Sequence, residues 1–116
     1  MRRGDIFIAN LNPRSGSEQT GLRPVIIVSH DSFNITSNWN SLIVVPLSTS
    51  NSQARRSPTI VLLAKGTSGL EKDSVVLCHQ ITTLDKSKIQ NKIGTLSKEQ
   101  MQKVEKAIQY ALSIFD

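Results

Sequence analysis

Apolar and polar positions follow two different periods along the chain. From Asp5 to Leu11, Ile6 and Ile8 fall on one side and Phe7 and Ala9 on the other, the loose alternation of a mostly buried strand. Val25 to Ser29 is a second strand, apolar on both faces, and Ser41–Ser48, Thr59–Leu63 and Ser74–His79 read as a third, fourth and fifth. Lys92–Leu96 is a short sixth, while Leu84–Gln90 fits either extended chain or a short helical turn. Pro46 cannot donate to a central ladder, so it marks an end, an edge or a bulge. After Ser97 the period changes. Met101, Val104, Ile108, Ala111 and Phe115 recur at alternating spacings of three and four, without Gly or Pro, and Ser97 with Gln100 fits a capping box. Five or six short strands and one terminal helix predict a mainly β fold: a small, strongly bent antiparallel sheet with a C-terminal helix.

The breaks between these elements carry the polar chemistry. Asn12-Pro13-Arg14 ends the first strand, and Gly16-Ser17-Glu18-Gln19-Thr20-Gly21 forms a polar loop bracketed by glycines that can bend it. Pro24 drives Arg23 toward an extended conformation where loop becomes strand. There Arg23 is either a solvated side chain or a guanidinium set to grip a phosphate. Residues 30–40 are rich in Asn, Ser, Thr and Asp, and a connection of that length in a small β fold is more often a binding loop than idle linker. Trp39 within it either anchors the loop or offers a stacking surface. A hydroxyl-rich turn, Ser48 to Ser52, leads to the adjacent pair Arg55-Arg56.

With 116 residues, the chain is expected to form one domain, 1–116. Hydrophobic residues make up 38%, with one Trp, one Tyr and three Phe, so the core must be aliphatic. Apolar runs are far too short for a membrane span, and Arg2-Arg3 lead directly into a strand, so neither membrane insertion nor a signal peptide is expected. The lone Cys78 excludes an internal disulfide and a cysteine metal cluster, which fits a cytoplasmic location. His30 and His79 lack partners at ligand spacing, so no metal and no cofactor are expected. A net charge of +5, with Arg55-Arg56 adjacent and Lys86, Lys88 and Lys92 close together, favours a polyanionic partner.

Arg3-Gly4-Asp5-Ile6, Leu11-Asn12-Pro13, Gly16-Ser17-Glu18-Gln19 and Arg23-Pro24-Val25, followed by Lys72-Asp73-Ser74-Val75-Val76, Gln80-Ile81 and Leu84-Asp85-Lys86, resemble the MazF/PemK family of toxin endoribonucleases. The resemblance spans Arg3 to about Ala111. It implies an SH3-like barrel with a C-terminal helix, and a ribosome-independent, sequence-specific, metal-independent endoribonuclease acting on single-stranded RNA and mRNA. Such an enzyme leaves 2′,3′-cyclic phosphate and 5′-hydroxyl ends. It further implies a homodimer, neutralised by a cognate antitoxin whose acidic, disordered C-terminal tail blocks the RNA groove, with operator DNA met only through that complex.

The same resemblance implies a catalytic role for Arg23 and for a threonine after the third strand. Register through Val45-Pro46-Leu47 puts Ser48 at that position, with Thr49 beside it as the alternative hydroxyl. Ser17, Glu18 and Gln19 are expected to contact RNA, although Glu18 and Gln19 could instead brace their own loop. Gln80 matches a family glutamine able to read a base edge. His79 stands where the family carries an acid, and Thr82 where many relatives carry a base. Arg55 and Arg56 touch the RNA backbone or form a solvated face. Two rivals stand beside this reading: a catalytically weak or inactive relative that binds RNA or antitoxin, and a gyrase poison of the same fold. The gyrase poisons carry a tryptophan near the C-terminus, whereas Trp39 is the single tryptophan here.

Overall fold

The computed structural model describes residues 1–16, 18–49 and 57–114. Its strands are β1 (Asp5–Asn10), β2 (Leu22–Ile27), β3 (Ser41–Ser48), β4 (Ile60–Leu63), β5 (Ser74–Leu77), β6 (Thr82–Asp85) and β7 (Ile89–Thr95). A single helical turn, α1 (Asp31–Asn34), precedes β3, and α2 (Lys98–Ala111) closes the order. All recorded pairings are antiparallel, in the order β4-β5-β3-β2-β1-β7, with β6 also on β3.

The strands β7-β1-β2-β3-β6 form one bent sheet, and β6 runs through a single 3-10 turn, Lys86–Lys88, into β7. The sheet therefore rolls up on itself around Phe7, Ala9, Leu11, Val25, Ile27, Leu42, Val44 and Leu84. The opposite faces of β1, β2 and β3 contribute Ile6, Ile26, Val45 and Leu47 to a second cluster, shared with β4, β5 and the α2 residues Met101, Val104 and Ala107. Alternating side chains of the same strands thus fill two cores, which explains why these strands read as apolar on both faces. The expected barrel with a terminal helix is the fold observed.

Helix α2 begins as its sequence requires. Ser97 accepts from the Gln100 N–H at 3.1 Å, and the Gln100 side chain accepts from the Ser97 N–H at 2.9 Å. The buried stripe runs through Met101, Val104 and Ala107, with Ile108 packed at its margin. Ala111 is half-buried, and Phe115 lies outside the described residues.

Several elements differ from expectation, among them β6 (Thr82–Asp85), a strand the pattern does not predict, and β7, which runs Ile89–Thr95 rather than Lys92–Leu96. Strand β2 starts at Leu22 rather than Val25. Pro24 is tolerated inside it because the β2–β3 ladder begins only at Val25, so its missing N–H interrupts no recorded pair there. Residues 30–40, read as an open binding loop, contain α1. His30 Nδ1 accepts from the Ser32 N–H, and buried Asn34 is satisfied by Ser29 and Asp31. Trp39 packs on Phe33 of the same segment with ring centroids 4.9 Å apart, and both rings remain exposed. Finally, β5 stops at Leu77, and the chain turns through a 3-10 segment, Cys78–Gln80, before β6.

That last turn shapes the site. β5 pairs with Leu47 and Ser48 of β3, and β6 pairs with Ser41 to Val44. Between them, level with Val45 and Pro46, the chain leaves the ladder as His79-Gln80-Ile81. Pro46, which has no N–H to donate, stands where the edge of β3 passes from one partner to the other.

Candidate nucleic-acid interface

A groove of about 240 Å³ opens at this gap. Its floor is apolar, from Leu11, Val44, Pro46 and Ile81, and its walls are polar. One wall is the β1–β2 loop, with Arg14, Glu18 and Gln19; the other is the turn and the start of β6, with His79, Gln80 and Thr82. The loop is closed at its base by Leu11 N–H to the Gly21 carbonyl (2.9 Å) and Gly21 N–H to Asn12 Oδ1 (3.0 Å). Gly16 and Gly21 adopt φ of +64° and +75°, the left-handed bends that glycine permits. The loop docks across the groove through the Gln19 N–H, which donates to Gln80 Oε1 at 2.9 Å, and through Arg14, which reaches Thr82.

Arg23 is exposed and sits within β2, beside the groove rather than in its lining. Its Nε donates to the Thr20 carbonyl at 3.0 Å, so the loop's own backbone orients the guanidinium. Counting on from the Val25–Pro46 pair brings Arg23 level with Ser48 and onto the same face. Ser48 is 5% exposed at the end of β3, whereas Thr49, one residue on, is exposed. His79 is exposed on the groove wall. Glu18, Gln19, His79 and Gln80, expected from sequence to contact RNA, therefore share one groove, with Arg23, Ser48 and Thr49 near its end. Ser17, Arg55 and Arg56 lie outside the described residues.

Arg14 is a groove residue that sequence reasoning passed over. Its Nε donates to the Leu11 carbonyl (3.1 Å), and its Nη1 reaches Glu18 Oε2 (3.3 Å) and Thr82 Oγ1 (3.4 Å). A signal existed: Arg14 and Glu18 are opposite charges four residues apart, a spacing that pairs on any helix-like bend.

The lysine cluster behaves otherwise. Lys86 Nζ donates to the carbonyls of Phe33 and Thr36, Lys88 Nζ bonds the Asn12 carbonyl, and Lys92 pairs with Asp5 at 3.3 Å. These three cations tie together elements of their own chain. Asp73 is likewise structural, accepting from the Lys65 N–H at 2.7 Å. Burial raises the Cys78 thiol to about 12, so it is an inert core side chain. Among the described residues, no group of three or more His, Cys, Asp or Glu could hold a metal ion, and no helix is long and apolar enough to cross a membrane.

Comparison with known proteins agrees over the whole chain. The family described as PemK-like, MazF-like toxin of type II toxin–antitoxin system matches residues 2–112. Endoribonuclease MazF of Staphylococcus saprophyticus is 40% identical over 114 residues, covering 98% of this chain and 92% of that protein. Endoribonuclease EndoA of Bacillus subtilis is 38% identical over 116 residues, covering 100% and 97%. Among solved structures, an endoribonuclease in complex with its cognate antitoxin from Mycobacterial species superposes with a TM-score of 0.81 at 24% identity, covering 100% and 98%, a likeness of fold.

Proposed function

The chain belongs to the PemK-like, MazF-like toxin family of type II toxin–antitoxin systems, and from that premise we propose how this endoribonuclease toxin cuts its RNA. The substrate is single-stranded RNA, mRNA included, and the nucleophile is its own ribose 2′-OH. That hydroxyl attacks the adjacent phosphorus, the P–O5′ bond breaks, and the products carry a 2′,3′-cyclic phosphate and a 5′-hydroxyl. No metal takes part. The protein must hold the 2′-OH in line and stabilise negative charge on the phosphorane oxygens.

Arg23 supplies that charge: its Nε is held by the Thr20 carbonyl and the residue is exposed, so its Nη groups can serve a phosphate. Ser48 donates its hydroxyl to the same phosphate. The single observation that carries this reading is the Val25–Pro46 register, which when continued brings Arg23 level with Ser48, beside a groove able to take flanking nucleotides. Glu18, Gln19, His79 and Gln80 contact those nucleotides in the groove, and Ser17, Arg55 and Arg56 add further contacts to the RNA. In the cytoplasm the toxin works as a homodimer, and a cognate antitoxin silences it by laying an acidic, disordered C-terminal tail along the RNA groove; operator DNA is met only by that complex.

Replacing Arg23 with Ala tests the mechanism. Cleavage should fall on the order of a hundredfold or more, as for loss of one transition-state donor, with the circular dichroism spectrum and oligomeric state unchanged. Near wild-type cleavage by the variant would remove Arg23 from the chemistry.

A further inference from the structure

We propose that Arg14, acting with Glu18, determines which unpaired base the groove accepts on one side of the cut; the inference rests on the endoribonuclease reading above. Arg14 is fixed before any substrate arrives. Its bonds to Leu11, Glu18 and Thr82 engage Nε and Nη1, its side chain is 17% exposed, and the N–H groups of Nη2 have no partner among the described residues. A guanidinium held this way gives up little conformational freedom on binding, so donors already in place can discriminate between partners.

The chemistry of the groove favours a base over a phosphate. The Glu18 carboxylate stands 3.3 Å from the Arg14 guanidinium, offsets its charge and would repel a second anion beside it. A base edge is neutral and presents an acceptor next to a donor. Arg14 can give to the acceptor while Glu18 accepts from the donor, the matched pattern by which side chains read bases. Glu18 is 53% exposed, and an ion pair open to solvent is weak, so its carboxylate can turn toward a base at little cost. Below them, half-buried Ile81 offers apolar surface to a flat ring, backed by the buried Leu11, Val44 and Pro46. Arg14 is thus a specificity residue, distinct from Arg23, whose guanidinium lies outside this lining.

The test is cleavage of an RNA pool randomised around the cut site, with ends read by sequencing, for wild type, Arg14→Gln, Arg14→Lys and Glu18→Gln. Arg14→Gln and Glu18→Gln should relax the base preference at one and the same position by about tenfold to a hundredfold, leaving the preferences at other positions intact. Arg14→Lys keeps the charge but loses the planar fork, so it should relax that position too, and it carries the test if the glutamine variant fails to fold. A uniform loss across all sequences, with the salt dependence of binding flattened by about one unit of slope, would mean a phosphate contact and overturn the inference. Preferences that the Arg14 variants leave unchanged, or that shift at different positions for Arg14 and Glu18, would overturn it alone. A wild type that cuts no RNA would overturn the endoribonuclease reading, and this inference with it.

Discussion

Ser48 and Thr49 are neighbours in the chain, yet the fold gives them different surroundings. Ser48 ends a ladder that pairs it with Val75, and it lies level with Arg23 on the face that leads into the groove. Thr49 follows outside the strand and is exposed. Residues opposite one another on antiparallel strands share a face, so the continued register places Ser48 with Arg23, while Thr49 lies beyond the strand's end. Ser48→Ala should therefore slow cleavage well beyond Thr49→Ala, measured as single-turnover rates on one RNA. The reverse order would move the donor one residue along and break the proposed pairing with Arg23. A sequence can align this position but cannot decide it, because two adjacent hydroxyls differ only in where the strand stops. Arg14 is only half legible for a related reason: its spacing to Glu18 is in the sequence, its reach across the groove is not. Its importance comes from Thr82, 68 residues away, which the topology alone brings within 3.4 Å.

At the scale of elements, the seam between β1 and β7 is held by a nearly buried carboxylate. Asp5, 6% exposed, accepts from the Arg2 N–H (2.9 Å), Thr95 Oγ1 (2.9 Å) and Lys92 Nζ (3.3 Å). Burial pushes its pKa up, but the hydrogen bonds from Arg2, Thr95 and Lys92 together outweigh it and hold the group below the usual 3.8. A carboxylate with a lowered folded pKa stabilises the fold fully above its unfolded value. That contribution is lost as pH falls below about 4, through the folded value. Asp5→Asn should thus cost about 1–3 kcal/mol at neutral pH and show a smaller loss of stability between neutral pH and pH 3, read by urea unfolding at each pH. Equal stability and an equal acid slope in both proteins would contradict the account. The sequence made β3 legible to the residue, and α2 with its cap, because long alternation and a 3.6-residue stripe are strong signals. It left α1 and β6 unread. Asp31–Asn34 is one polar turn, and Thr82–Asp85 is four residues with only Leu84 buried, so tertiary pairing rather than local pattern forms them.

For the whole molecule, the +5 charge acquires a different distribution from the one the sequence suggested. Lys86, Lys88 and Lys92 are engaged within their own chain, while Arg14 and Arg23 flank the groove from the two ends of one loop. These lysines fasten elements, while the proposed substrate contacts fall to arginine, in keeping with the guanidinium's planar, multidentate fork. The groove exists because β3 changes partners at Pro46, so the topology that makes the barrel also makes the site. In the proposed mechanism the RNA supplies its own nucleophile and the protein supplies only position and charge. One measurement addresses this most directly: cleavage in excess EDTA of two RNAs that share a cut site, one all-ribose and one with a single 2′-deoxy sugar 5′ to the scissile phosphate, with the ends mapped chemically. The account predicts that the all-ribose strand is cut to a 2′,3′-cyclic phosphate and a 5′-hydroxyl, and that the deoxy strand stays intact at that position. Scission of the deoxy strand there, or an absolute need for added Mg²⁺, would contradict it.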